Sequence, residues 1–280
     1  MPLNSINTNA QSLIALQSLN STNEQLSLIQ KRVTTGYRVA DARDDGGAFA
    51  VAQSVKSDMA GVVAVNEQLG GVKGVLETTF AALSTVSDTM KQLRATLTRL
   101  ADGAISSEQR TAYAEQYTLL AKQVASFVDD AGYNGRTLLS TASTATPIGG
   151  NITAIRNESG GLFTIEAVDG SVLKITTVAP TDAAAAQASI IGSGAFDVAE
   201  TAISRALNKF GASMAFVESQ IAYNSKKSDA MSNGLGALVD ADLARESSAL
   251  EGIKVRQQLG IQTLGLANQG PQVLLGLFRN

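Results

Sequence analysis

The residues whose type and spacing come closest to chemistry are two pairs of adjacent carboxylates, Asp44-Asp45 and Asp129-Asp130. Paired carboxylates serve as divalent-cation ligands, or as an acid and a base. Neighbouring side chains on a helix or strand point apart, however, and no third ligand stands beside either pair. Both pairs therefore read as helix-entry and turn residues, and Asp169-Gly170 reads as a turn rather than a calcium loop. The 280 residues include no His and no Cys. Their absence removes the usual zinc sites, an imidazole base, disulfides, and Ser-His-Asp or Cys-His catalysis. Lys- or carboxylate-based chemistry survives composition, but no site for it stands out, so no catalytic residue, metal or cofactor is expected. A net charge of −3 with interspersed signs lacks the basic stripe of a nucleic-acid binder. Met1-Pro2-Leu3-Asn4-Ser5-Ile6-Asn7 lacks the basic and apolar regions of a secretory signal, and no run of 18 apolar residues predicts a membrane span.

What remains is a chain that must work through surfaces, and its elements point the same way. Aromatic residues make up 5% and Trp is absent, so the core must be Leu, Ile, Val and Ala, which suits close helix packing. Residues 3–35 predict one helix, with Asn4 and Ser5 as caps, an apolar stripe of Ile6, Ala10, Leu13, Leu19, Leu26, Ile29 and Val33, and a stop at Gly36. A polar connector follows to Gly47. Helical spacing resumes from Ala48, and Gly70-Gly71 weakens it without necessarily breaking it. Leu76, Phe80, Leu83, Val86, Met90, Leu93, Leu97 and Leu100 form the strongest periodic run in the chain. Ser106 or Ser107 caps a further helix to Val128, which places Tyr113, Tyr117, Leu120, Val124 and Phe127 on one face. Between 150 and 180, the runs 162–168 and 172–178 alternate around Asp169-Gly170, predicting a β-hairpin with an Asp-Gly turn. An Ala-rich linker leads from Pro180 into a helix over 196–235. From Asp240 a final helix carries Leu243, Leu250, Ile253, Leu264, Ala267 and Leu274, with Ser, Gln, Asn and scattered charge opposite. The fold expected is mainly α: long antiparallel helices form a coiled-coil rod from both termini, with a small β-hairpin insertion.

In several places the chain resembles bacterial flagellin. Ile6-Asn7-Thr8-Asn9 is similar to the family's opening helix. Thr35-Gly36-Tyr37-Arg38-Val39 and Ala42-Arg43-Asp44-Asp45 are similar to its Ser-Gly-Leu-Arg-Ile and Ala-Lys-Asp-Asp connector. Tyr133-Asn134-Gly135 resembles its Phe-Asn-Gly turn, and Ala267-Asn268-Gln269-Gly270-Pro271-Gln272-Val273-Leu274 its Ala-Asn-Gln-x-Pro-Gln-x-Val-Leu ending. The order of these segments, and their distances from the termini, make the match specific over roughly 1–140 and 195–280. The resemblance implies a short flagellin of alpha-proteobacterial type. Its inner core comes from 1–35 and 236–280 and its connector from 36–47. Outer-core helices occupy 48–139 and 196–235, and a variable insertion fills 140–195. A hook–filament junction protein shares the same terminal core and is the alternative. A metalloprotease of the kind embedded in some larger flagellins would need a His-Glu-x-x-His motif, which a chain without His cannot supply.

The implied function is that of a secreted structural subunit. It is exported unfolded by the flagellar type III apparatus and polymerises, alone or with paralogous flagellins, into the extracellular filament. Filament cap, junction proteins and an export chaperone are the implied partners, with neither nucleic acid nor membrane insertion. The inner-core assembly stripe is Ile6, Leu13, Leu19, Leu26, Val33, Leu243, Leu250, Ile253, Leu264 and Leu274. Gly36, Arg38, Arg43, Asp44 and Asp45 form the joint. Arg94, Arg99, Glu108, Arg110 and the 41–45 connector are candidate contacts between subunits. An animal innate immune receptor recognises many flagellins through an Arg, a Leu and a Glu. Those positions fall here on Gln92, Thr96 and Gln116, so the anchors are lost. Candidate O-glycosylation residues are Ser140, Thr141, Ser143, Thr144, Thr146, Thr176, Thr177 and Thr181.

Overall fold

The computed structural model describes residues 9–142 and 147–277, with side chains through Gln269. In chain order the elements are α1 (Ala10–Thr35), α2 (Gly46–Leu100), α3 (Ser107–Asp129), β1 (Ile152–Ile155) and β2 (Leu162–Ile165). A short 3-10 turn (Gly170–Val172), α4 (Ala183–Ile190), α5 (Ala195–Val239) and α6 (Leu243–Leu277) complete the order. Among the described residues the protein is mainly α with one small antiparallel sheet, the class that the sequence predicts.

Local chemistry accounts for the helix ends. Asn9 caps α1 by accepting from the Ser12 amide at 3.1 Å, while the expected caps Asn4 and Ser5 lie outside the described residues. Gly36, at φ +75°, closes α1 with its amide on the Arg32 carbonyl, a left-handed geometry that costs Gly little. Ser106 caps α3 in a reciprocal box with Gln109. α2 is continuous through Gly70-Gly71, because both glycines point into open space off the packing seam. That seam steps by three and four residues, through Leu83, Val86, Met90, Leu93, Leu97 and Leu100, all buried. Thr79, rather than the expected Phe80, holds the seam position before Leu83. Its hydroxyl is satisfied by the Val75 carbonyl at 2.7 Å, and Phe80 turns outward. By length and composition one 18-residue window of α2, mean hydropathy 1.2, could cross a bilayer. Only 17% of that window is buried, and the longest row of the core lies elsewhere on α2, from Leu83 to Leu100.

The chain forms two compact units. One comprises the chain up to Ser57 and from Ala230 onward; the other runs Asp58–Asp229. Several residues of the expected insertion 140–195 belong to the second unit's core. Ile165, Leu173, Ile175 and Ala186 are buried in one cluster with Leu93, Tyr117, Val124, Ile203 and Phe210.

The predicted hairpin exists, but with different strands. β1 pairs antiparallel with β2, Ile152 opposite Ile165 and Ile155 opposite Leu162, around a loop at 156–161. Asp169-Gly170 does not turn a hairpin. The Asp169 carboxylate accepts from the Ser171 amide at 2.9 Å and starts the 3-10 turn. Gly170 lies so close under the Leu139 carbonyl that a Cβ there would stand 2.1 Å from its oxygen. The run after it alternates because Leu173 and Ile175 are buried against the core, with no partner strand among the described residues. The Ala-rich stretch expected as a linker contains α4, capped by Asp182 on the Ala185 amide at 2.7 Å.

Candidate assembly surface

Within the first unit, α1 and α6 pair antiparallel. Polar contacts set their register: Asn9 Nδ2 donates to the Ala267 carbonyl at 2.7 Å, Gln257 Nε2 donates to Asn23 Oδ1 at 2.7 Å, and Arg32 meets Glu246 at 3.3 Å. Leu19, Leu26, Val33, Leu250, Ile253 and Leu264 of the predicted stripe are buried or half-buried along this pair. Gly260 permits close approach, since a Cβ there would stand 3.3 Å from Leu19 Cδ1. Leu13 and Leu243 depart from the expectation: they are 62% and 49% exposed, because the seam passes through Ser12 and Glu246 instead. Ile6 and the Leu274 side chain lie outside the described residues.

The face of α6 away from this seam is not the polar one that the sequence predicts. It carries Val255, Leu259 and Leu266 at steps of four and seven, all more than half exposed. Ile261 on α6, and Leu13, Ile14, Leu16 and Leu28 on α1, are exposed as well. Period counting hides this second row, because one amphipathic stripe accounts for only one face of a helix.

The connector closes the same unit. Arg38 donates its amide to the Val239 carbonyl at 2.7 Å and its guanidinium to the Leu238 carbonyl at 2.6 Å, and the Ala241 amide returns to the Gly36 carbonyl at 2.9 Å. Lys31 sits between Asp41 at 2.9 Å and Asp44 at 2.8 Å. The Asp44 carboxylate also accepts the Ala40 and Asp41 amides. Lys31, first, and these amides hold the Asp44 carboxyl down at about 2, and Asp44 with Asp41 raises Lys31. Asp45 accepts from the Ala48 amide at 3.0 Å as helix entry, and the Arg43 amide donates to Asp41. Val39, Ala52 and Val239 form a small core beneath, with Phe49 and Leu238. The adjacent carboxylates thus do different structural jobs, and Asp130 likewise ends α3 while Asp129 pairs with Lys174. Among the described residues no three acidic side chains gather as a metal site.

In the second unit, the charges expected to meet other subunits have partners of their own. Arg94 pairs with Glu200 and lies over the Phe196 ring, Arg99 lies over Tyr113, and Arg110 donates to the Leu100 and Asp102 carbonyls that end α2. Glu108 lies at the start of α3, where its carboxyl is lowered by backbone and Ser106 hydrogen bonds. Gln92 and Gln116 are exposed, but Thr96 is buried with its hydroxyl on the Gln92 carbonyl, so it offers no surface anchor. Thr141, Thr176, Thr177 and Thr181 are exposed and Ser140 is half-buried; Ser143, Thr144 and Thr146 lie outside the described residues.

One constellation has no counterpart in the sequence reading. Buried Asn224 and neighbouring Gln220 both donate to the Arg156 carbonyl at 3.1 Å, and Lys227 pairs with Glu158 in the same hairpin loop. Phe163 stacks on Phe216 at 4.2 Å. Residues 64 or more positions apart give no local pattern that could announce this lock.

The class so defined is a mainly helical protein in which α1 and α6 pair and α6 carries an exposed apolar row on its other face. The chain matches the bacterial flagellin N-terminal helical region over residues 6–144 and the bacterial flagellin C-terminal helical region over 194–278. It is 32% identical to flagellin FljK of Caulobacter vibrioides, over 100% of both chains. It is 34% identical to a flagellin of Brucella melitensis, over 98% of this chain and 99% of that one. The crystal structure of Bacillus cereus flagellin shares the fold, with a TM-score of 0.50 at 23% identity, over 56% of this chain and 88% of that one. The chain belongs to the bacterial flagellin family.

Proposed function

We infer that this chain is the structural subunit that polymerises into the bacterial flagellar filament. The observation that carries the reading is the uncovered apolar row Val255, Leu259 and Leu266 on a helix already paired through its other face. Exposed apolar rows of this kind are covered by association, and a contact between unlike surfaces propagates into an open polymer. In this reading the terminal helices make subunit contacts and the 34–47 joint lets the two cores shift between filament states. The family is structural, and we assign the chain no active site. It is exported unfolded through the flagellar type III apparatus to an extracellular filament, with a cap, junction proteins and an export chaperone as partners. Gln92, Thr96 and Gln116 leave receptor recognition weak or absent. The exposed hydroxyls of Thr141, Thr176, Thr177 and Thr181 are acceptors for O-linked sugar, which intact mass of native protein checks.

Ammonium sulfate strengthens apolar burial. Purified full-length chain brought into it should form long tubes by negative-stain microscopy and sedimentation, while a chain lacking 1–35 and 240–280 should form none. Full-length chain that stops at monomers or short rings, even with filament seeds, would instead identify a junction adaptor.

A further inference from the structure

The chain contains two Asn-Gly pairs, Asn134-Gly135 and Asn233-Gly234, and all four residues are exposed. Their backbones differ. Asn134 (φ 49°) and Gly135 (φ 75°) are the left-handed centre of a tight turn closed by two hydrogen bonds, Tyr133 amide to Arg136 carbonyl at 2.8 Å and the reverse at 3.0 Å. Those bonds use the outer amides and not that of Gly135. A Cβ built on Gly135 would meet nothing within 4 Å, while the Gly135 carbonyl accepts from the Ile148 amide at 2.8 Å, which leaves the Gly135 nitrogen without a bond among the described residues. Asn233-Gly234 lies inside α5, where each amide is held on the carbonyl four residues earlier.

We propose that Asn134 is a site of spontaneous deamidation in the folded protein, and that α5 protects Asn233. The deprotonated Gly135 amide nitrogen attacks Asn134 Cγ, the bond from Cγ to the side-chain nitrogen breaks, and ammonia leaves with the protons. Water then opens the cyclic imide at either carbonyl, giving aspartate or isoaspartate. The sum is asparagine plus water to acid plus ammonia, with no oxidant or enzyme. Attack requires the turn to leave its left-handed geometry. Opening one surface turn is a small local event, whereas freeing Gly234 breaks a helix. The product adds a negative charge, and isoaspartate lengthens the turn backbone. Tyr133, whose ring fills the space above Gly74, is the first side chain displaced.

Deamidation at Asn134 does not depend on filament assembly. Full-length chain is incubated in mildly alkaline buffer and digested, and both Asn-Gly peptides are followed by mass spectrometry and isoaspartyl methyltransferase labelling. In native protein Asn134 should convert roughly tenfold or more faster than Asn233, and in concentrated urea the two rates should agree within about twofold. Equal rates in the native chain, or an intact Asn134 beside a converted Asn233, would overturn the proposal.

Discussion

Asp44 shows how much one carboxylate can organise. It binds Lys31 and two backbone amides, and its folded pKa of about 2 lies below the ordinary 3.8. A depressed acid contributes stability that is complete above its unfolded pKa and lost as pH falls through the folded one. The connector should therefore hold from about pH 4 upward and loosen between about 4 and 2, read as lost exchange protection of the Ala40 amide. Asp44→Asn should remove that acid transition and leave Ala40 poorly protected at neutral pH. Lys31 is raised, so its share is present below its unfolded value and fades only as strongly alkaline pH passes the folded one. Asn224 is the second telling residue. Truncation to Ala removes a buried donor to Arg156, and urea unfolding should register a loss of about 1–3 kcal/mol.

At the scale of elements, α2 and the α1–α6 pair are stabilised differently. α2 buries a long Leu-rich row, so Leu93→Ala should cost about 2–5 kcal/mol in the second unit. The α1–α6 seam is thinner and includes Thr22, Gln257 and Gly260. Gly260→Leu puts a side chain where Leu19 stands 3.3 Å from the first added carbon. It should force the pair apart and raise the protein concentration needed for tubes, measured by sedimentation. Unchanged assembly would mean that this seam is not retained in the filament. The helices themselves are legible in sequence, since three-and-four spacing and capping residues are local. The hairpin partner is not. Alternation in 172–178 reports burial of Leu173 and Ile175, and which strand pairs with which is a non-local choice.

For the whole molecule, the expectation is that α1 and α6 gain order on association. A helix in water draws most of its stability from packing, and the row Val255, Leu259 and Leu266 has no cover among the described residues. Far-UV circular dichroism should gain helical signal as tubes form, and no gain would show that the termini are already folded in the monomer.

Sequence alone determined the helical class, the absence of histidine and cysteine chemistry, the Gly36 stop and the family. These rest on composition, local period and short motifs. Tertiary structure decided which face of each terminal helix is paired and which stays bare. It also decided that Arg94, Arg99 and Arg110 are engaged inside their own unit, that Thr96 is buried, and that Asn224 and Lys227 lock the hairpin loop. The physical reason is common to all of them: a period places residues on a face, but only packing between distant segments settles what that face meets.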